Sequence, residues 1–303
     1  GANTANGNTL VTSPGNLLVA NNLALQNSAY DTSSTGSLSF ATGIDTPTIG
    51  GLTGGVNFTL PANTTALTLN PQTAKTYAGI LNSNTAGMSV TKTSATVQVL
   101  SGQNLYNGNT ILTGTGAIQM GVDPVGSVGS ITSSAIGRGG LVFNGGALAS
   151  NSTTVRTVLN PVTFTGNATL GDAANTGTLT FSAVAELGNA VRTLTVNSEA
   201  QFDAAINGAG GGITKAGASI LTLANNNTYT GLTTVSAGRL VLSGNNVAAT
   251  GGITVTGGIV RFSSPASMNG TARNTAVNSP GTILFDASFG DVNIPTALLN
   301  RVT

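Results

Sequence analysis

Apolar and polar residues alternate along this chain in short bursts, and Gly, Asn or Pro ends each burst before it reaches helical length. The pattern is clearest from Ala205 to Gly244, which reads AINGAGGGITKAGASILTLANNNTYTGLTTVSAGRLVLSG. Leu221 and Leu223 fall on one face of a strand, and Leu240 and Leu242 on one face of the next. Thr, Ser and Asn fill the gaps. A unit of roughly 40 residues built this way cannot bury its apolar stripe alone, which predicts that it stacks on copies of itself.

A second copy runs from Thr91 to Gly121, TKTSATVQVLSGQNLYNGNTILTGTGAIQMG. Lys92 aligns with Lys215, Tyr106 with Tyr229 and Gly108 with Gly231; Gly116 aligns with Gly238 after a one-residue slip. Upstream, Leu67 to Asn70 matches Leu194 to Asn197, so the stronger units are 67–121 and 194–244. The period, from Lys92 to Lys215, is 123 residues, far longer than one turn of a solenoid. Each long repeat therefore holds several turns. At about 22 residues per turn the chain would make roughly 13 of them.

A shorter motif, Gly-x-aliphatic-x-Phe, occurs five times and holds most of the phenylalanines. Its members place Leu38 with Phe40, Leu141 with Phe143, Leu179 with Phe181, Val260 with Phe262 and Ile283 with Phe285. Each is a corner glycine followed by a strand with two apolar residues on one face. Together with Leu221, Leu223, Leu240 and Leu242 these residues are the expected core ladder. Gly108, Gly116, Asn225, Asn226, Asn227, Gly231 and Gly238 are the expected corners and turns.

Thr214 to Leu223, Asn227 to Gly231 and Thr233 to Gly238 resemble the autotransporter-associated β-strand repeat, found in passenger regions of bacterial autotransporters and in giant bacterial surface proteins. Leu25 to Asp31, Thr46 to Thr53 and Ile294 to Thr303 resemble stretches common in those proteins, so the resemblance covers nearly the whole chain. It implies an all-β fold, a single-stranded right-handed parallel β-helix, at the bacterial cell surface. It implies no activity. The copy at Thr91 to Gly116 departs from the pattern, with Gln98 where a Leu is expected. Either its register has flipped, burying Val97 and Val99 and exposing Gln98, or Val97 and Val99 form an apolar outer strip.

Composition narrows the surface and the partners. Hydrophobic residues make up 40% of the chain and charged residues only 6%, against the usual quarter for charged residues. Asn, Thr, Ser and backbone must therefore wet the surface. The net charge is +1, and the ten basic residues are scattered from Lys75 to Arg301. That argues against nucleic acid or an anionic membrane as partner. No apolar run approaches a transmembrane helix, so no membrane insertion is expected of this segment. The chain lacks Cys and His. It has no thiol to go astray during export, and little is expected to titrate near neutrality.

The turn-rich texture is uniform, and 1–303 reads as one continuous domain. Asp123 to Gly126 breaks the pattern as a bulging loop. Pro295 to Leu299 reads as one helical turn, and Arg301 to Thr303 as the start of a strand cut mid-pattern. Gly1 is not a start residue, so the chain reads as mature or excised.

Candidate chemistry is sparse. A polysaccharide lyase or hydrolase would need gathered carboxylates. Asp172 with Glu186, and Asp286 with Asp291, are the pairs close in sequence; both lie beside turn signals, where capping is the expected task. No metal or cofactor is expected, because His, Cys and an Asp-rich calcium motif are absent. Gly208 to Gly212 lacks the ending of a phosphate loop. Asn225 to Asn227 could contact cell-surface glycans, but stacked corner asparagines bonding turn backbone is the stronger reading.

Three functions fit these features. One is a non-enzymatic extracellular stalk, adhesin or matrix component. Another is a filament subunit that self-associates head to tail through open solenoid ends. The third is a polysaccharide-active enzyme.

Overall fold

The computed structural model describes residues 3–246, 251–263, 267, 275–278 and 280–286. Among them there is no α-helix, and parallel strands stack as a β-solenoid of about 12 turns. Glycine and asparagine corners keep each strand to a few residues, and the backbone groups so freed pair with the turn before and the turn after.

The chain forms two compact units, Gly1–Ser152 with Leu159–Pro161, and Thr153–Val158 with Val162–Thr303. In the first unit, Thr48–Ile49, Ala66–Leu69, Ser89–Lys92, Thr110–Thr113 and Leu141–Asn144 pair in succession, all parallel. A second face stacks Lys75–Tyr77, Gln98–Leu100, Ala117–Met120 and Ala147–Ser150. The expected loop at Asp123 to Gly126 is instead part of an antiparallel hairpin, Val125–Ser127 with Ser130–Ser133. Gly129, with φ of 80°, turns it. Leu23 to Leu25, whose alternation suggests a strand, is a turn that ends on a single parallel bridge from Leu25 to Ile49.

The second unit has three faces. Val162–Phe164, Ala185–Glu186 and Ile206–Asn207 stack on one. Ala168–Leu170, Val191–Val196, Gly212–Ala216, Thr233–Val235, Ile253–Val255 and Thr275–Val277 stack on another. The third carries Arg156–Val158, Leu179–Phe181, Ala200–Phe202, Ile220–Leu223, Arg239–Leu242, Ile259–Phe262 and Thr282–Phe285.

Inward side chains form the core. Leu38, Phe40, Leu141, Phe143, Leu179, Phe181, Leu221, Leu223, Leu240, Leu242, Val260 and Phe262 are all buried. Phe181 and Phe202 stack with centroids 4.5 Å apart and planes 9° off parallel, and Phe262 and Phe285 stack at 5.8 Å and 15°, so aromatic rings pair along the second unit, one of them, Phe202, outside the expected motif. Ile283 and Phe285 depart from expectation and are half-buried. Among the described strands theirs pairs on one side only, with Ile259–Phe262, so no described turn covers it. The expected features at 295–299 and 301–303 lie outside the described residues.

Gln98 corrects the flipped register. It is fully buried, while Val97 and Val99 stay half-exposed on the outer face. Its amide fits the core because it hydrogen-bonds backbone there: Oε1 accepts from the Leu52 N–H at 3.0 Å, and Nε2 donates to the Leu52 carbonyl at 2.9 Å.

Candidate functional site

The polar residues shared by the two repeat copies are the natural place to look for chemistry. Lys215 lies on the inner face of Gly212–Ala216 and is fully buried. Its Nζ donates to the carbonyls of Ala216 at 2.9 Å, Gly217 at 2.7 Å and Ala237 at 3.0 Å. An ammonium has three donors, and each finds a carbonyl at the corner. Gly217, with φ of 77°, turns its carbonyl at that corner. Lys92, also fully buried, donates to the carbonyl of Ser94 at 2.6 Å. Burial disfavours the charged form and lowers both ammonium groups to about 8.

The next shared residue is an asparagine. Asn227 accepts from the Ile206 N–H at 2.8 Å and donates to Oδ1 of Asn246 at 2.6 Å, one turn later. Its counterpart Asn104 accepts from the Leu81 N–H at 2.7 Å and donates to the Ala135 carbonyl at 2.6 Å. Both are buried. Each satisfies backbone groups that a corner leaves without a strand partner.

Two residues further on stands a buried tyrosine. Tyr229 Oη lies 2.8 Å from Thr233 Oγ1, and Tyr106 Oη 2.7 Å from Thr110 Oγ1. Burial pushes the Tyr106 phenol up, against a smaller opposing effect of the Thr110 hydrogen bond. The tyrosines are therefore pillars inside the corner and present no ring to a ligand.

The predicted corner residues divide. Asn225 and Asn226 are exposed, and Asn225 donates to the Asp203 carbonyl at 2.7 Å. Gly108 and Gly231 sit where a Cβ would lie 2.2 Å from the Gly87 carbonyl oxygen and 2.5 Å from that of Gly211. Gly116 and Gly238 meet the same crowding, at 2.2 Å from the Thr96 carbonyl oxygen and 2.5 Å from that of Gly217. Close approach of successive turns is what requires glycine at these four corners.

Three of the four paired carboxylates have structural partners. Asp172 Oδ1 accepts from the N–H groups of Ala174 and Asn175, a turn cap. Glu186 accepts from Asn207 Nδ2 at 2.8 Å, and Asn207 accepts from Thr228 Oγ1 at 2.7 Å, a polar ladder up the outer face. Asp286 does not cap a turn: it holds Arg261 in a two-point pair at 2.6 and 2.8 Å. Asp291 lies outside the described residues. Among the described residues no three His, Cys, Asp or Glu side chains gather as a metal site.

Sequence reasoning aligned Lys92 with Lys215 but missed that both are buried. The signal was their position, two residues from an inward aliphatic on an alternating strand: Val90 before Lys92 and Ile213 before Lys215.

The passenger-associated-transport-repeat family matches residues 213–242 and 237–262. This stretch, from the buried Lys215 to Phe262, is similar to the passenger repeats of autotransporters. No curated protein and no solved structure matches the chain.

Proposed function

We propose that this chain is a non-enzymatic structural segment of a secreted or surface-exposed bacterial protein, a passenger-like stalk. One observation carries the reading: the polar residues that recur between the repeat copies bond the protein's own corners. Lys92 and Lys215, Asn104 and Asn227, and Tyr106 and Tyr229 are all buried. A repeat kept for binding or catalysis would instead turn its shared polar groups into a cleft that a ligand can enter, rather than spend them on the carbonyls and N–H groups of its own corners. Stacked hydrogen-bonded turns supply what a spacer needs, which is length and stiffness without a pocket. The repeat match at 213–262 supports placement among exported passengers.

The test is display of the chain on a bacterial surface beneath an epitope tag, beside an unrelated spacer of equal length. The stalk reading expects the tag to be exposed, with no gain in attachment to glycan-coated surfaces. Attachment that depends on this chain would replace the stalk with an adhesin. Unsaturated products from an acidic polysaccharide would replace it with an enzyme, and continuous fibres from the purified chain with a filament subunit.

A further inference from the structure

The outer face of the third sheet in the second unit changes character along the stack. On Arg156–Val158, Leu179–Phe181 and Ala200–Phe202 the middle, outward positions are Thr157, Thr180 and Gln201. From Ile220–Leu223 onward the outward rows become Ile220, Arg239, Ile259, Thr282 and Thr222, Val241, Arg261, Leu284. Ile220 and Ile259 flank Arg239 in register on the turns before and after it. Gly238, Gly257 and Gly258 leave the adjoining corners without side chains, and a groove of about 340 Å³ opens there.

The two arginines of this face are in opposite states. Arg261 is satisfied by Asp286. Arg239 is half-buried, and its Nε, shut off from solvent, has no hydrogen-bond partner. A buried unpaired donor is costly, and native proteins keep few of them. Nε is closed to a ligand as it is to water, so a carboxylate in the groove would meet the terminal amino groups of the Arg239 guanidinium, between the aliphatic walls of Ile220 and Ile259.

We propose that the Arg239 groove is a docking site for an extended peptide segment of a partner protein carrying one acidic side chain with aliphatic side chains two residues to either side, on the same face of the peptide. Charge complementarity selects the carboxylate. Ile220 and Ile259 select its neighbours, one turn of the stack to either side. The groove lining contains no aromatic ring, the usual platform for a sugar, which favours peptide over an acidic glycan. Loss of this site would leave the stack intact, because Arg239 points outward and the core residues beneath it are Leu240 and Leu242.

The experiment follows the Nε–Hε resonance of Arg239 by NMR in the full chain. The probes are acetyl-Leu-Ala-Glu-Ala-Leu-amide, its Gln counterpart and trigalacturonate. The Glu peptide is expected to shift the Arg239 resonance and to bind at least tenfold more tightly than the Gln peptide. Arg239→Gln should abolish the preference for Glu. Ile220→Thr should weaken both peptides severalfold while preserving that preference, and it serves if Arg239→Gln fails to fold. No shift with the Glu peptide, an equal or larger shift with trigalacturonate, or a shift that appears on raising the protein concentration alone would overturn the proposal. The last outcome would assign the groove to a second copy of this chain. None of these outcomes bears on whether the chain is a stalk.

Discussion

Gln98 and Leu52 are joined by a two-point hydrogen bond across 46 residues of sequence, side-chain amide to backbone N–H and carbonyl. Gly51, with φ of 106°, sets the backbone so that both groups of Leu52 meet the amide. A glutamine thus does the work of a missing strand neighbour. Gln98→Leu, which restores the residue type the repeat pattern expects, should destabilise the protein by about 2–4 kcal/mol because it leaves two buried backbone groups unpaired. Urea denaturation measures it. A neutral or stabilising Gln98→Leu would mean that water replaces the amide.

The buried lysines set a pH profile. In the unfolded chain a lysine holds its proton to about pH 10.4, but in the fold Lys92 and Lys215 hold theirs only to about 8. Between those values the unfolded chain binds more protons, so stability rises with pH. Above about pH 10 the unfolded tyrosines ionise, while burial keeps Tyr77 and Tyr106 protonated in the fold, so stability falls. The melting temperature should be flat between about pH 5 and 7.5, climb from about pH 8, and peak near pH 10. Replacing both lysines with Met should remove the climb and keep the alkaline decline. A profile that stays flat from about pH 8 to 10 would contradict the lysine assignment.

Phe181 stacks on Phe202 and is fully buried. Phe181→Ala should cost about 3–5 kcal/mol, the range for a large cavity in a packed core. Phe285, half-buried, should cost less on the same change. Chemical denaturation of the two variants side by side checks the order, and equal losses would argue against the described burial.

Gly108 and Gly55 make a paired control. A Cβ at Gly108 would sit 2.2 and 2.4 Å from the Gly87 and Met88 carbonyl oxygens, whereas one at Gly55 meets nothing within 4 Å. Gly108→Ala should therefore destabilise by about 2 kcal/mol or more, and Gly55→Ala should stay within about 0.5 kcal/mol of the parent. Thermal melts decide it. A tolerated Gly108→Ala would show that successive turns can part at that corner.

Much of this architecture could be read from the chain itself. Period-two alternation placed Leu141 with Phe143 and Leu179 with Phe181 on inner faces, because a strand's side chains must alternate whatever it packs against. Recurrence of Lys, Tyr and Gly at fixed spacing announced a stack, since units this small have no core of their own. The fate of the polar residues was not legible in this way. Whether Lys92, Gln98 and Asn104 face water or the interior depends on which backbone groups of other turns lack partners, such as Leu52 N–H for Gln98 and Leu81 N–H for Asn104. Likewise Arg239 and Arg261 are two residues of one type on neighbouring turns, and only the neighbour at Asp286 separates the paired one from the other. Alternation is local and survives in the sequence. Satisfaction of a buried polar group is a relation between distant segments, and only the folded stack determines it.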